Sequence, residues 1–191
     1  MHIVGFSGGL SALSRTLALV ESILKGFDSA PQENSALANA RKTLIDFAPV
    51  ANQFGAALSR EQLSSEALAL LELVENADIL VVASPIYNAA YPGLFKHFFD
   101  LIKRKGLEHK TVIIAANGAS AHHALVVESH LRPLFSSLGA FVVPTGIYSE
   151  ASDFTHYVLT RDTTIARIND AIREVHKLYQ IASASVQLEA V

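Results

Sequence analysis

Short apolar segments alternate with longer segments of helical periodicity along this chain, and that alternation restricts the fold more than any other feature. The strand-like runs are residues 2–6, 41–47, 78–83, 111–116 and 140–146. The helical patterns are residues 14–25, 62–75, 91–103, 123–138 and 165–179. Runs that are apolar on both faces are typical of parallel strands covered by helices on both sides. We therefore predict an α/β doubly wound fold, with a five-stranded parallel sheet in the order 2-1-3-4-5.

The chain has 191 residues, which suits one domain with a full core and is short for two. No linker, internal repeat or low-complexity segment interrupts the pattern. We predict one domain over residues 1–182, followed by a frayed C-terminal tail over residues 183–191.

Composition excludes several classes of protein. The 15 basic and 18 acidic residues leave a net charge of -3, which disfavours a nucleic-acid binder. There is no cysteine, so disulfides, thiolate nucleophiles and iron–sulfur clusters are excluded. The longest uncharged stretch, residues 79–95, is interrupted by Pro85, Asn88 and Pro92, so no membrane span is predicted. With no signal peptide at its start, the chain is expected in the cytoplasm.

The first loop, residues 5–16, reads G-F-S-G-G-L-S-A-L-S-R-T. Ligands of such sheets bind at the carboxyl ends of strands one and three, so this loop faces the expected crevice. It contains neither a G-x-G-x-x-G fingerprint nor the G-K-[ST] of a P-loop. It does combine a helix start, whose N–H groups attract anions, with the planar cation of Arg15 and several hydroxyls. These features favour a phosphate site, and the hydroxyls are those of Ser7, Ser11, Ser14 and Thr16.

A plain capped turn is the alternative for this loop, with Ser14 as the N-cap and Arg15 solvated in the first helical turn. The helix dipole opposes a cation at that end and favours an anion. That opposition favours a bound anion, and both interpretations stay open.

Two further loops follow strands three and four. The second loop begins Pro85-Ile86-Tyr87-Asn88, and its rigid start is suited to a planar ring. A tight strand–helix connection with locally packed tyrosines is an equal alternative. The third loop contains Gly118-Ala119-Ser120, whose small side chains leave backbone N–H groups exposed beside the same crevice. A helix cap by Asn117 or Ser120 explains that segment equally well.

Other catalytic arrangements have little support in the sequence. His122, His123 and His130 are close in sequence, but no H-E-x-x-H pattern occurs and no metal is expected. No G-x-S-x-G marks a nucleophilic serine. The absence of an evident acid–base pair suits chemistry that a cofactor performs.

Three segments together resemble the NADPH-dependent FMN reductase family. They are Ser14-Arg15-Thr16, S-P-I-Y-N-A-A-Y-P-G-L-F-K at residues 84–96, and A-N-G-A-S-A-H-H-A-L at residues 116–125. The resemblance covers residues 1 to about 180. It is strongest to the flavin reductases that supply reduced FMN to alkanesulfonate and methanesulfonate monooxygenases.

The resemblance implies a flavodoxin-like fold, with FMN and either NADPH or NADH as cofactors. The FMN phosphate would be held by Ser7, Ser14, Arg15 and Thr16. The isoalloxazine and ribityl chain would be lined by Pro85, Ile86, Tyr87 and Asn88, and the other edge of the ring by Gly118, Ala119 and Ser120. Hydride would pass from nicotinamide to flavin without a protein acid or base. Reduced FMN would go to a separate monooxygenase of organosulfur metabolism.

The chain departs from the family pattern at two places. A second arginine, common in the first loop as G-S-P-R, is replaced here by Gly8-Gly9-Leu10. In the alkanesulfonate branch the fourth helix carries an inserted tyrosine, and Ser129 occupies that position here.

Two alternatives to this function are an FMN-retaining quinone or azo reductase and a flavodoxin-type electron carrier.

A homodimer or homotetramer is also expected. The segment 91–103 has an apolar arc that is wider than one sheet face needs, and it includes Phe95, Phe98 and Phe99.

Overall fold

A computed structural model describes residues 1–29, 37 and 39–189 of the chain, without the side chains of Ser29 and residues 181–189. The helices are α1 Arg15–Ser29, α2 Ala51–Gly55, α3 Ser65–Glu75, α4 Gly93–Asp100, α5 Arg132–Ser137 and α6 Asp162–Glu189. The strands are β1 His2–Ser7, β2 Arg41–Asp46, β3 Ile79–Pro85, β4 Thr111–Gly118, β5 Phe141–Val142, β6 Ile147–Glu150, β7 Phe154–Thr155 and β8 Val158–Leu159.

The main sheet has the order β2-β1-β3-β4-β5, and all of its pairs are parallel. The predicted strand order and fold class are therefore confirmed. The predicted fifth strand over residues 140–146 is wrong in its extent, because only β5 lies within that range and a second short strand, β6, follows it. β5 pairs with the start of β4, and β6 pairs with its end, from Ala115 opposite Ile147 to Gly118 opposite Glu150. Pro144 lies between the two pieces and has no N–H to donate to a ladder.

Strand residues alternate between two apolar cores, one on each face of the sheet. On β1, Val4 and Phe6 belong to the core beneath α2, α3, α4 and α5, whereas Ile3 belongs to the core beneath α1 and α6. Both faces are buried, which explains the continuous apolar runs. Within the first core the ring of Phe6 lies 4.6 Å from that of Phe98, measured between centroids.

The three phenylalanines of α4 are buried within a single chain. Phe95, Phe98 and Phe99 are 0%, 0% and 1% exposed. The three rings pack on one another, on Phe6 and on Phe135, so they form no exposed patch, and the expected oligomer stays a prediction.

The fourth predicted helix, residues 123–138, consists of three unlike pieces. A 3-10 turn at Ala121–His123 precedes a π-helical turn at Val127–Leu131, and α5 follows. The N–H of Arg132 donates to the carbonyl of Val127, five residues back. Ser129 therefore lies within a helical bulge, although it replaces the tyrosine of the related branch.

The C-terminal helix is longer than predicted. The backbone is helical from Asp162 to Glu189, and residues 190 and 191 lie outside the described residues. The single domain and the frayed tail stay predictions. None of the helices within the described ranges is both long and apolar enough to cross a membrane.

Candidate active site

The first loop leaves the centre of the sheet at Ser7 and turns directly over the core. The N–H of Gly8 donates to the carbonyl of Ala83 at 2.8 Å, which ties the loop to the end of β3. A Cβ on Gly8 would lie 2.2 Å from Cδ2 of Phe95, a fully buried ring. Only glycine permits the loop backbone to lie this close to α4.

Ser7 carries an unpaired polar atom at the base of this loop. Its side chain is 0% exposed, and its Oγ has no hydrogen-bond partner. A buried hydroxyl without a partner carries a desolvation penalty of about 1–3 kcal/mol. A Cβ on Gly9 would lie 2.8 Å from the Ser14 Oγ and 3.8 Å from the Ser7 Oγ, so both hydroxyls flank the bare Gly9 backbone. This cradle accommodates a group that accepts hydrogen bonds.

Helix α1 begins immediately beyond that cradle. The Ser14 Oγ accepts a hydrogen bond from the N–H of Thr16 at 3.1 Å, so the cap expected of a plain turn is present. Thr16 is buried, and Arg15 is exposed beside it. A cation in the first turn is opposed by the helix dipole, which favours an anion there. The cap and an anion site are therefore compatible.

The second loop is stiff and projects a tyrosine into solvent. After Pro85, the N–H of Ile86 donates to the carbonyl of Asn117 at 3.1 Å, which joins the second and third loops. Tyr87 and Ala90 exchange backbone hydrogen bonds at 2.8 and 3.1 Å and close a tight turn. Asn88 and Ala89, at its tip, have φ values of 49° and 66°. An alanine with positive φ is strained, as residues at functional sites often are.

The third loop is shaped by Tyr148, a residue of β6. A Cβ on Gly118 would lie 2.3 Å from the Tyr148 hydroxyl, so the ring lies directly against this glycine. The hydroxyl donates to the carbonyl of Ser120, and Ala119 between them is exposed. Burial, and then the nearby Glu150 carboxylate, raise the pKa of Tyr148. The phenol therefore stays protonated and keeps donating to the loop.

The connection between β5 and β6 is fastened to both flanking helices. Arg132 donates to the carbonyls of Val143 and Pro144 at 2.9 and 2.8 Å. The same guanidinium forms a bidentate ion pair with Glu128 and holds the pKa of that carboxyl below its usual range. From the other side, Glu174 of α6 accepts the N–H of Thr145 at 2.8 Å. The π-helical turn and α6 thus fix the place where Tyr148 enters the site.

Histidines near the third loop form no metal centre within the described ranges. No group of three or more His, Asp or Glu side chains comes together there. His122 and His130 are exposed, and the His130 ring packs edge-on against Tyr91 at 6.1 Å. The Nδ1 of His123 is buried without a hydrogen-bond partner.

The three predicted loops meet at one edge of the sheet, because β1, β3 and β4 are parallel neighbours. The hydrogen bond from Gly8 to Ala83 and that from Ile86 to Asn117 join them pairwise. Sequence reasoning missed Phe95 and Tyr148 as residues that shape these loops. The alternation of buried and half-buried residues in Ile147-Tyr148-Ser149-Glu150 is a strand signal that could have revealed Tyr148.

The comparison with protein families identifies the kind of protein to which this chain is similar. The model of the NADPH-dependent FMN reductase family matches residues 1–155. The chain belongs to this family. It is therefore an oxidoreductase with FMN and a nicotinamide nucleotide as its cofactors.

Several relatives match over nearly the whole chain, and two of them are named here. The NADH-dependent FMN reductase SfnF of Pseudomonas fluorescens is 40% identical over 94% of this chain and 92% of its own length. An FMN reductase (NADPH) of Pseudomonas aeruginosa is 37% identical over 93% of this chain and 91% of its own. The two names differ in the nucleotide, which fits an NAD(P)H-dependent FMN reductase.

Many solved structures share the fold, among them the following two. An oxidoreductase from Corynebacterium diphtheriae superimposes with a TM-score of 0.78 at 30% identity, over 93% of this chain and 95% of that one. The apo form of the NADH:FMN oxidoreductase EmoB gives a TM-score of 0.73 at 29% identity, over 90% and 86%.

Proposed function

We propose that this reductase uses NAD(P)H to reduce FMN as a diffusible substrate and delivers the reduced flavin to a separate monooxygenase of organosulfur metabolism. The observation that carries the flavin placement is the unpaired, buried Ser7 hydroxyl beside the Gly9 cradle and the start of α1. The delivery step is supported by the resemblance to reductases of sulfonate monooxygenases and by relatives named SfnF and SfnE. We also propose the cytoplasm, where reduced nicotinamide nucleotides are available, as the compartment.

The phosphate fits the first loop. A phosphate oxygen would accept a hydrogen bond from the Ser7 hydroxyl, which otherwise has no partner. The negative charge of the phosphate would lie near Arg15 and the start of α1, and both attract an anion. Ser14 and Thr16 complete the predicted phosphate set and already join through their hydrogen bond. The negative charge of a phosphate there would offset the electrostatic repulsion between Arg15 and the positive end of the helix dipole.

The second and third loops would hold the ring. When bound, FMN supplies the isoalloxazine that accepts hydride from reduced nicotinamide. The protein residues orient it and exclude water. The loop backbones at Ile86 and Asn117 are joined by a hydrogen bond, and Tyr148 fixes Ser120 from behind. The residues proposed to border the ring are Pro85, Ile86, Tyr87, Asn88, Gly118, Ala119 and Ser120.

Release of the flavin is supported by how open this site is. Arg15 is the single cation of residues 5–16, Tyr87 is 45% exposed, and the chain has no tryptophan to clamp a ring. We expect an FMN dissociation constant on the order of micromolar, about -8 kcal/mol. Dialysis of the purified protein should remove most of the yellow colour, and NAD(P)H oxidation should saturate with added FMN. One FMN per chain after exhaustive dialysis, with turnover indifferent to added flavin, would instead favour the quinone- or azo-reductase alternative.

We further propose a homodimer or homotetramer that buries the surface around the π-helical turn. Leu125, immediately before that turn, is 73% exposed, and Ser129 and His130 are exposed beside it. Light scattering at micromolar protein should give a mass of at least twice the 20.5 kDa of one chain. Leu125→Glu should lower that mass, whereas the same change at Leu58, which is 84% exposed on the α2–α3 connection, should not. A wild-type mass of one chain would refute the proposal.

A further inference from the structure

A small hairpin stands beside the first loop although it is distant from it in sequence. Strands β7 and β8 pair antiparallel, with Phe154 opposite Leu159 and Thr155 opposite Val158. Leu159 is buried in the core beneath α1 and α6, and Phe154 packs against that core. The hairpin base is therefore anchored to the body of the domain.

Asp153 fixes the orientation of this hairpin. Its buried carboxylate accepts the hydroxyl of Thr164 at 2.8 Å and the N–H of Glu150 at 3.2 Å. Its carbonyl accepts the N–H groups of Thr160 and Arg161 at 2.8 and 3.2 Å. Asp153 thus binds the ends of both hairpin strands and the start of α6, and these hydrogen bonds fix the position of the tip.

The tip itself is built from unfavourable residues. His156 and Tyr157 have φ values of 48° and 63°. Two-residue turns of this kind favour Asn-Gly, because both central residues need positive φ. Bulky residues kept in this conformation indicate a role for their side chains rather than for the turn. Tyr157 also lies two residues beyond the segment that the family model matches.

Tyr157 contacts the cation of the proposed phosphate loop. The Arg15 Cζ lies 5.6 Å from the centroid of the Tyr157 ring, inside the limit of about 6 Å for a cation–π contact. Among the residues that the structure describes, no carboxylate forms an ion pair with Arg15. The ring of Tyr157 is thus the group that restrains this guanidinium.

We propose that Tyr157 is a positioning residue that holds Arg15 for the phosphate of FMN. A ring against the face of a guanidinium leaves the N–H donors at its edge free, and those donors match phosphate oxygens. The contact also reduces the freedom that a long side chain must lose on binding. This inference rests on the proposed placement of the FMN phosphate at the first loop.

The test compares FMN and riboflavin, which differ only in the phosphate. Dissociation constants are measured by flavin fluorescence for wild type and for five variants, Tyr157→Ala, Tyr157→Phe, Val158→Ala, Arg15→Ala and the Arg15→Ala/Tyr157→Ala double variant. Tyr157→Ala should weaken FMN binding about two- to fivefold, the range of an exposed cation–π contact, and leave riboflavin binding unchanged. In turnover, its KM for FMN should rise while kcat stays the same.

The other variants separate this role from a structural one. Tyr157→Phe keeps the ring and should bind FMN like wild type, and so should Val158→Ala, a change to the same hairpin at a 63% exposed residue. The double variant should bind FMN no more weakly than Arg15→Ala alone. The proposal is overturned if Tyr157→Ala has wild-type FMN affinity, if riboflavin binding falls equally, or if the two losses add. Failure of wild type to bind FMN at all would instead refute the proposed function itself.

Discussion

Replacing Arg15 with alanine should weaken FMN binding by about 10- to 150-fold, without unfolding the protein. A charge-assisted hydrogen bond contributes about 1.5–3 kcal/mol, and Arg15 is the one cation among residues 5–16. Its side chain is exposed and contacts the Tyr157 ring, so its loss should leave the thermal midpoint within about 1–2 °C of wild type. Fluorescence titration with FMN and thermal denaturation measure the two effects.

Two control variants on α1 and a control ligand, riboflavin, make this test specific. Lys25→Ala removes an exposed cation farther along α1 and should leave FMN affinity unchanged. Arg15→Lys keeps the charge but loses the planar fork, so it should recover only part of the affinity. Riboflavin should bind all of these variants equally. An unchanged FMN dissociation constant in Arg15→Ala would remove this residue from the site.

The site was predictable as far as it depends on strand ends. Parallel neighbours bring their carboxyl ends to one edge, so finding β1, β3 and β4 in sequence located the three loops. The hairpin over Arg15 was not predictable, because His156-Tyr157 lacks the Asn or Gly that marks such turns. Tyr148 was missed for a different reason. The predicted fifth strand ends at Gly146, and Tyr148 lies two residues beyond that end.

The fold was predictable where apolar runs are long and uniform. Strands β1, β3 and β4 are buried on both faces, and their sequences show this directly. The division of the fifth strand and the bulge at Val127–Leu131 depend on tertiary contacts instead. A Cβ on Gly146 would lie 2.5 Å from Cγ1 of Val127, so the two irregular segments pack directly on each other. No local pattern in either segment indicates that contact.

The largest loss of stability is expected from Arg60→Ala, at a buried ion pair outside the proposed flavin site. Arg60, in the 3-10 turn Arg60–Gln62, donates to both carboxylate oxygens of Glu75 at 2.7 and 3.2 Å. The two side chains are only 16% and 7% exposed. Arg60 also donates to the carbonyl of Leu101 at 3.0 Å, so it joins the ends of α3 and α4. Removing it leaves a buried carboxylate at the C-terminal end of a helix, where the dipole opposes a negative charge.

We expect this variant to lose about 3 kcal/mol of unfolding free energy. The lower end of the range for a broken buried pair applies because the N–H of Lys103 still donates to Glu75 at 2.8 Å. The thermal midpoint should fall by about 6–12 °C, at about 2–4 °C per kcal/mol for a domain of this size. Thermal and urea denaturation measure the loss.

An exposed pair and a double variant show whether the buried charge is the cause. Lys105→Ala breaks the pair with Glu108, whose side chains are 68% and 38% exposed, and should cost less than about 1 kcal/mol. Arg60→Met/Glu75→Leu replaces both partners with apolar side chains and should be more stable than Arg60→Ala alone, because no buried carboxylate is left without its arginine. FMN affinity should be unchanged in every folded variant. If Arg60→Ala were no less stable than Lys105→Ala, the pair would behave as a solvated surface contact and would not hold α3 against α4.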